Sequence, residues 1–100
     1  AGLYRKPAEA GNAEAMRELA LYLQENGTTI EDARAATDWL QRASEAGDAE
    51  AMVALAKAYA MGIGLKPSIK EATALLESAA GKGSTEAQRL LVTMEATRQN

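Results

Sequence analysis

The chain has no cysteine and no histidine. Those absences exclude disulfides, thiolate nucleophiles, histidine general bases and the usual zinc and iron ligands. They leave the redox compartment open, because a cysteine-free protein tolerates cytosol and periplasm alike. Aromatics are scarce as well, with no phenylalanine, one tryptophan and three tyrosines in 100 residues. No apolar run approaches the ~18 residues of a membrane-spanning helix, which argues against direct membrane insertion. No sign of charge dominates either. A net charge of −3, with acids and bases interspersed, argues against a nucleic-acid or membrane surface built on a basic face. The chain opens on alanine without a signal-peptide pattern, which suits a segment processed from something longer. What it does have is alanine, 23 residues of it. With β-branched residues sparse, that composition points to an all-α chain in one small domain.

The letters also repeat. "GNAEAM" at Gly11 to Met16 returns as "GDAEAM" at Gly47 to Met52, 36 residues on, and more loosely as "GSTEAQ" at Gly83 to Gln88. A fixed period in the thirties is the signature of stacked helix pairs. Ala15, Met16, Leu19, Ala20 and Leu23 follow the rhythm of one helix face, and Ala51, Met52, Leu55, Ala56 and Tyr59 repeat it. A second stripe, Ala33, Ala36, Leu40 and Ala43, matches Ile69, Ala72, Leu76 and Ala79.

Turn and cap chemistry divides these stripes. Asn12, Asp48 and Ser84 each follow a glycine and stand where a helix N-cap belongs. Glu14, Glu50 and Glu86 then fall in the first turn, where the helix dipole favours an acid. Thr29-x-x-Asp32 and Ser68-x-x-Glu71 read as capping boxes, and Pro67 bars a helix from running through the second. The pattern predicts five helices over about 13–25, 30–46, 49–61, 69–81 and 85–98. One helix pair cannot bury its stripe alone, so each presents it to the next pair. The recurring letters are thus packing and capping residues, not catalytic ones.

The stretch from Ala51 to Gly83 resembles the Sel-one-like repeat (SLR), a relative of the tetratricopeptide repeat (TPR). Ala51, Leu55, Ala56, Tyr59, Gly62, Gly64, Leu65, Ala72, Ala79, Ala80 and Gly83 fill that family's pattern. Ser68 stands where an Asp is usual and Leu75 where an aromatic is usual. The preceding unit supplies Asp32 and Trp39 at those places, but has Leu23 for the Tyr and lacks the double glycine. The resemblance implies a right-handed α-α superhelix, a TPR/SLR-like solenoid of about five helices in antiparallel pairs. The expected organisation is a single repeat domain over 1–100. Residues 1–11 form the tail of a preceding unit, 12–47 repeat one, 48–83 repeat two, and 84–100 a terminal capping helix. Pro7 breaks the leading helix, leaving Leu3 and Tyr4 as exposed apolar surface. Gln88 and Glu95, polar where Met16/Met52 and Leu23/Tyr59 stand, suit a water-facing end.

In arrays of this family the first helix of each pair lines the concave side, where partners dock. Off the packing stripe that helix varies between copies: Arg17, Val53 and Arg89 at one position, Leu21, Lys57 and Thr93 at the next, Gln24, Ala60 and Ala96 at a third. This mixed, mildly basic and partly apolar row suits a peptide or helix with a few acids. The competing reading is an ordinary solvated face. Trp39 is expected to pack between helix pairs rather than to stand as an exposed anchor. The implied function is a protein–protein interaction scaffold that binds another protein or peptide segment. The alternative is a structural cap or self-association segment of a longer solenoid.

Apparent catalytic motifs fail on context. "GKGST" at Gly81 to Thr85 lacks the Lys-Ser/Thr step and the strand of a phosphate loop. "GIG" at 62 to 64 follows a helix, not a strand. Ser68 and Lys70, two apart at a helix start, point to different faces. No enzyme activity, cofactor, metal, small-molecule ligand or nucleic-acid partner is expected. A bacterial source is expected from the alanine content and short loops, in periplasm or cytoplasm, with the periplasm favoured.

Overall fold

The computed structural model describes residues 10–99, with side chains to residue 95. Five helices follow one another: α1 Ala13–Asn26, α2 Ile30–Glu45, α3 Ala49–Met61, α4 Ile69–Gly81 and α5 Thr85–Gln99. Each begins where a side-chain oxygen can satisfy an orphan amide. Asn12 Oδ1 accepts from Ala15 N at 3.0 Å, Thr29 Oγ1 from Asp32 N at 3.1 Å, and Asp48 Oδ1 from Ala51 N at 3.1 Å. Ser68 Oγ accepts from Glu71 N at 3.2 Å and Ser84 Oγ from Ala87 N at 3.1 Å. Each of these caps is worth about 1 kcal/mol to its helix. Asp32 reaches back to the amide of Thr28 at 3.2 Å, one residue before the cap, which is why this acidic box is offset from the regular one.

The turns from α2 to α3 and from α4 to α5 are the same turn written twice. Gly47 and Gly83 hold φ of +96° and +97°. That lets Asp48 N donate to Ala43 O and Ser84 N to Ala79 O, both at 3.1 Å, closing the helix ends. Both reversals share one geometry, so the pairs stack in register. The described chain measures 44 × 28 × 17 Å, an elongated slab.

Two apolar clusters run along it. The first joins α1 and α2 to one side of α3, around Leu19, Leu40 and Leu55, all fully buried. The second joins the other side of α3 to α4 and α5, around Met52, Val53, Leu76 and Ala87. Burial of each leucine contributes about 1.5–3 kcal/mol. Helix α3 is therefore shared, buried on two sides, and its sequence is apolar nearly all round. Trp39 packs at the edge of the first cluster, as its place in the repeat suggests, with Arg42 Cζ 4.9 Å from the ring centroid.

The loop after α3 ties the second pair to the first. The Thr37 hydroxyl on α2 lies 2.9 Å from Ala33 O and 3.1 Å from Ile63 O, its proton shared between them. A Cβ on Gly64 would stand 2.5 Å from Ala33 O and 2.6 Å from Thr37 Oγ1. The glycine thus serves both the positive φ of +74° and the close approach.

One packing expectation needs correction. Ile69, assigned to the α4 stripe, is 56% exposed, because a side chain at the first helical position leans back past the helix start. Leu91, aligned with the fully buried Leu19 and Leu55, is only half-buried, since α5 packs on α4 without a pair-mate of its own among the described residues. Leu3, Tyr4 and Pro7 lie outside the described residues, as does the side chain of Ala96.

Candidate functional site

Stacking two pairs and α5 leaves a groove of about 890 Å³ between α1, α3 and the start of α5. Five of the eight residues expected on the partner-facing row line it: Arg17, Leu21, Gln24, Val53 and Lys57. Ala60 on α3 and Arg89 and Thr93 on α5 are exposed but do not line it. One end is bounded by the α1–α2 turn and by Met61 and Ile63, which are 64% and 38% exposed.

The row is less open than the sequence suggests. Arg17 Nη1 donates to Asp48 Oδ1 at 2.9 Å and to Oδ2 at 2.7 Å, with Glu50 at 3.2 Å and Glu18 at 3.6 Å from the same guanidinium. Its side chain is only 15% exposed and that of Asp48 only 10%. Burial alone would lower the guanidinium pKa. The Asp48 hydrogen bonds and the charges of Asp48, Glu50 and Glu18 outweigh it and raise the pKa above its ordinary value. Arg17 is therefore a fixed cation that joins α1 to the cap of α3.

Val53 corrects the row more sharply. It is 3% exposed and belongs to the second apolar cluster, so it adds little surface to the groove floor. The physical reason is that this side of α3 is packed within the cluster it forms with α4 and α5. Lys57 donates to Glu86 Oε2 at 2.8 Å, a pair about half exposed on both sides. Glu50 and Glu86 occupy one repeat position, and each meets a base from the preceding unit. The base has moved by one helical turn: Arg17 then Leu21 in α1, Val53 then Lys57 in α3. That exchange was the signal available in the sequence, an invariant acid with a base at either of two places four residues apart.

Lys82 also lines the groove, and its ammonium lies near Gly47 at the end of α2, where a cation suits the helix dipole. The groove's chemistry is thus an apolar floor flanked by the paired Arg17 and Lys57 and by Lys82. Among the described residues no group of His, Cys, Asp or Glu could hold a metal ion, and no helix is long and apolar enough to cross a membrane.

Residues 13–48 and 49–84 each match the Sel1 repeat. Two solved structures share the architecture. A Sel1 repeat protein from Oxalobacter formigenes superposes with a TM-score of 0.82 at 28% identity, over 90% of this chain and 68% of that one. A protective antigen present in uropathogenic Escherichia coli strains, displaying an SLR fold, gives 0.80 at 25% identity over 88% of this chain. This chain spans 19% of that antigen's length. Both are bacterial proteins, in line with the source expected from composition. No curated protein sequence matches the chain.

Proposed function

The chain belongs to the Sel1 repeat family, and we propose that it acts as a scaffold holding a partner segment in the groove between α1 and α3. Sel1 repeats are in general non-catalytic helical scaffolds for protein interaction. One observation carries the specific reading: Leu21, Gln24 and Lys57 of successive first helices fall on one groove of about 890 Å³. Capped, stacked helices present that groove already formed, so a partner binds with little ordering cost to the scaffold. Binding, not bond-making, is its chemistry.

The test is site-directed photocrosslinking in lysate of the source organism. A photoreactive residue replaces Gln24 or Lys57 on the groove, and Glu77, on a small exposed patch of α4, as control. The scaffold reading expects one protein to crosslink from the groove sites and not from Glu77. Equal labelling at all three, or labelling at Glu77 alone, rejects it.

A second reading, a structural cap ending a longer solenoid, rests on α5. Gln88, where Met16 and Met52 are buried, donates Nε2–H to Ala80 O at 3.4 Å at the end of α4. A polar residue spent on closing the neighbouring helix suits a terminal helix. No crosslinked protein from Val92 or from the groove sites would favour this role.

A further inference from the structure

We infer that the groove takes an uncharged segment anchored by apolar side chains, seated on Leu21, Met61 and Ile63, and not the acid-bearing segment its basic residues suggest. This rests on the groove reading above and names its partner's chemistry. Two of the three cations there are already answered from within the chain. Arg17 is held by Asp48 and Glu50, and Lys57 by Glu86. Lys82, exposed and without an ion pair among the described residues, sits by the carbonyl end of α2. Arg17 and Lys57 are thus matched by Asp48, Glu50 and Glu86, with Glu18 a further acid beside Arg17. A partner carboxylate would meet only Lys82 as an unpaired cation, and at Arg17 or Lys57 would have to displace an acid already bound. A partner base would meet acids already neutralised.

What the groove leaves unsatisfied is apolar. Met61 is 64% exposed and Ile63 38%, side by side at one end, with half-buried Leu21 further along. The other large exposed apolar residues, Tyr22, Ile30, Ile69 and Val92, lie off the groove lining. Two adjacent apolar side chains opening into a concavity lined by Leu23, Val53 and Ala54 form a surface that an aliphatic or aromatic anchor would cover. With Arg17 and Lys57 already paired, that floor matches an anchor without charge.

The experiment pans a random-peptide display library against the immobilised chain, then measures the selected peptides by fluorescence anisotropy at low and high salt. The inference expects peptides rich in Leu, Ile, Met or aromatics with no clustered charge. Their affinity should change less than about threefold between ~0.05 and ~0.5 M NaCl, since screening acts on charge pairs and not on apolar contact. Met61→Gln combined with Ile63→Gln should weaken them about tenfold or more, as two apolar contacts are lost. Ile69→Gln, off the groove, should leave them unchanged. Selected peptides rich in Asp, Glu, Lys or Arg, with steeply salt-dependent binding quenched by a competing groove peptide, would overturn this inference and keep the groove. Failure to select any peptide, or binding indifferent to the double variant, would overturn the groove reading itself. Peptide composition and the salt series use only the native chain, so a poorly folded variant does not blunt the test.

Discussion

Arg17 on α1 grips the carboxylate of Asp48, the same carboxylate that caps α3, at 2.7 and 2.9 Å. One aspartate thus starts a helix and fastens it to the pair before. Asp48→Ala removes both roles and should cost more than Asp48→Asn, which keeps an amide oxygen for the Ala51 N–H. The expected costs are about 2–4 and 1–2 kcal/mol, from urea unfolding followed by far-UV circular dichroism. Equal costs would mean that the cap contributes nothing beyond the clamp.

Arg17→Leu should cost about 1.5–3 kcal/mol, because the remaining Asp48 keeps its burial without its partner. Lys57→Ala should cost no more than ~1 kcal/mol, since that pair is about half exposed, and added salt should erase most of the difference. The check is the unfolding midpoint of each variant at low and high NaCl.

Two glycine substitutions should act in opposite directions. At Gly64 a methyl would press on Ala33 O and Thr37 Oγ1 at a φ of +74°, so Gly64→Ala should destabilise by about 2–3 kcal/mol. Gly81 ends α4 with nothing within 4 Å of its missing Cβ, so Gly81→Ala should stabilise by about 0.5–1 kcal/mol. Paired thermal melts decide it, with opposite signs of Tm shift expected.

Leu55→Ala, in the shared helix and fully buried, should cost about 3–5 kcal/mol and loosen both helix pairs together. Val92→Ala on the open side of α5 should stay within ~0.5 kcal/mol. Hydrogen exchange would show the first variant raising exchange in α1 through α4, and the second leaving it unchanged.

Most of the fold was legible because the repeat writes each signal twice. Asn12, Asp48 and Ser84 announce helix starts through a side-chain oxygen at a fixed offset, a local effect that needs no tertiary knowledge. Helix bounds accordingly agree with the expected ones to within a residue. The site was legible only in outline. Position in the repeat brought Leu21, Gln24 and Lys57 to one groove, but exposure depends on what stacks above. Val53 aligns with Arg17, yet it is buried in the cluster of α3, α4 and α5. The Arg17–Asp48 bond spans 31 residues, and no local pattern states such a distance. Arg89 and Thr93 missed the groove because α5 supplies only its first turn to the wall.

The most direct measurement is amide chemical-shift mapping of the isotope-labelled chain against the segment recovered by groove crosslinking. The account predicts perturbations along Leu21, Gln24, Lys57, Met61 and Ile63, with α5 beyond its first turn silent. Perturbations centred on Leu91 and Val92, or spread over the outer surfaces of α2 and α4, would contradict it.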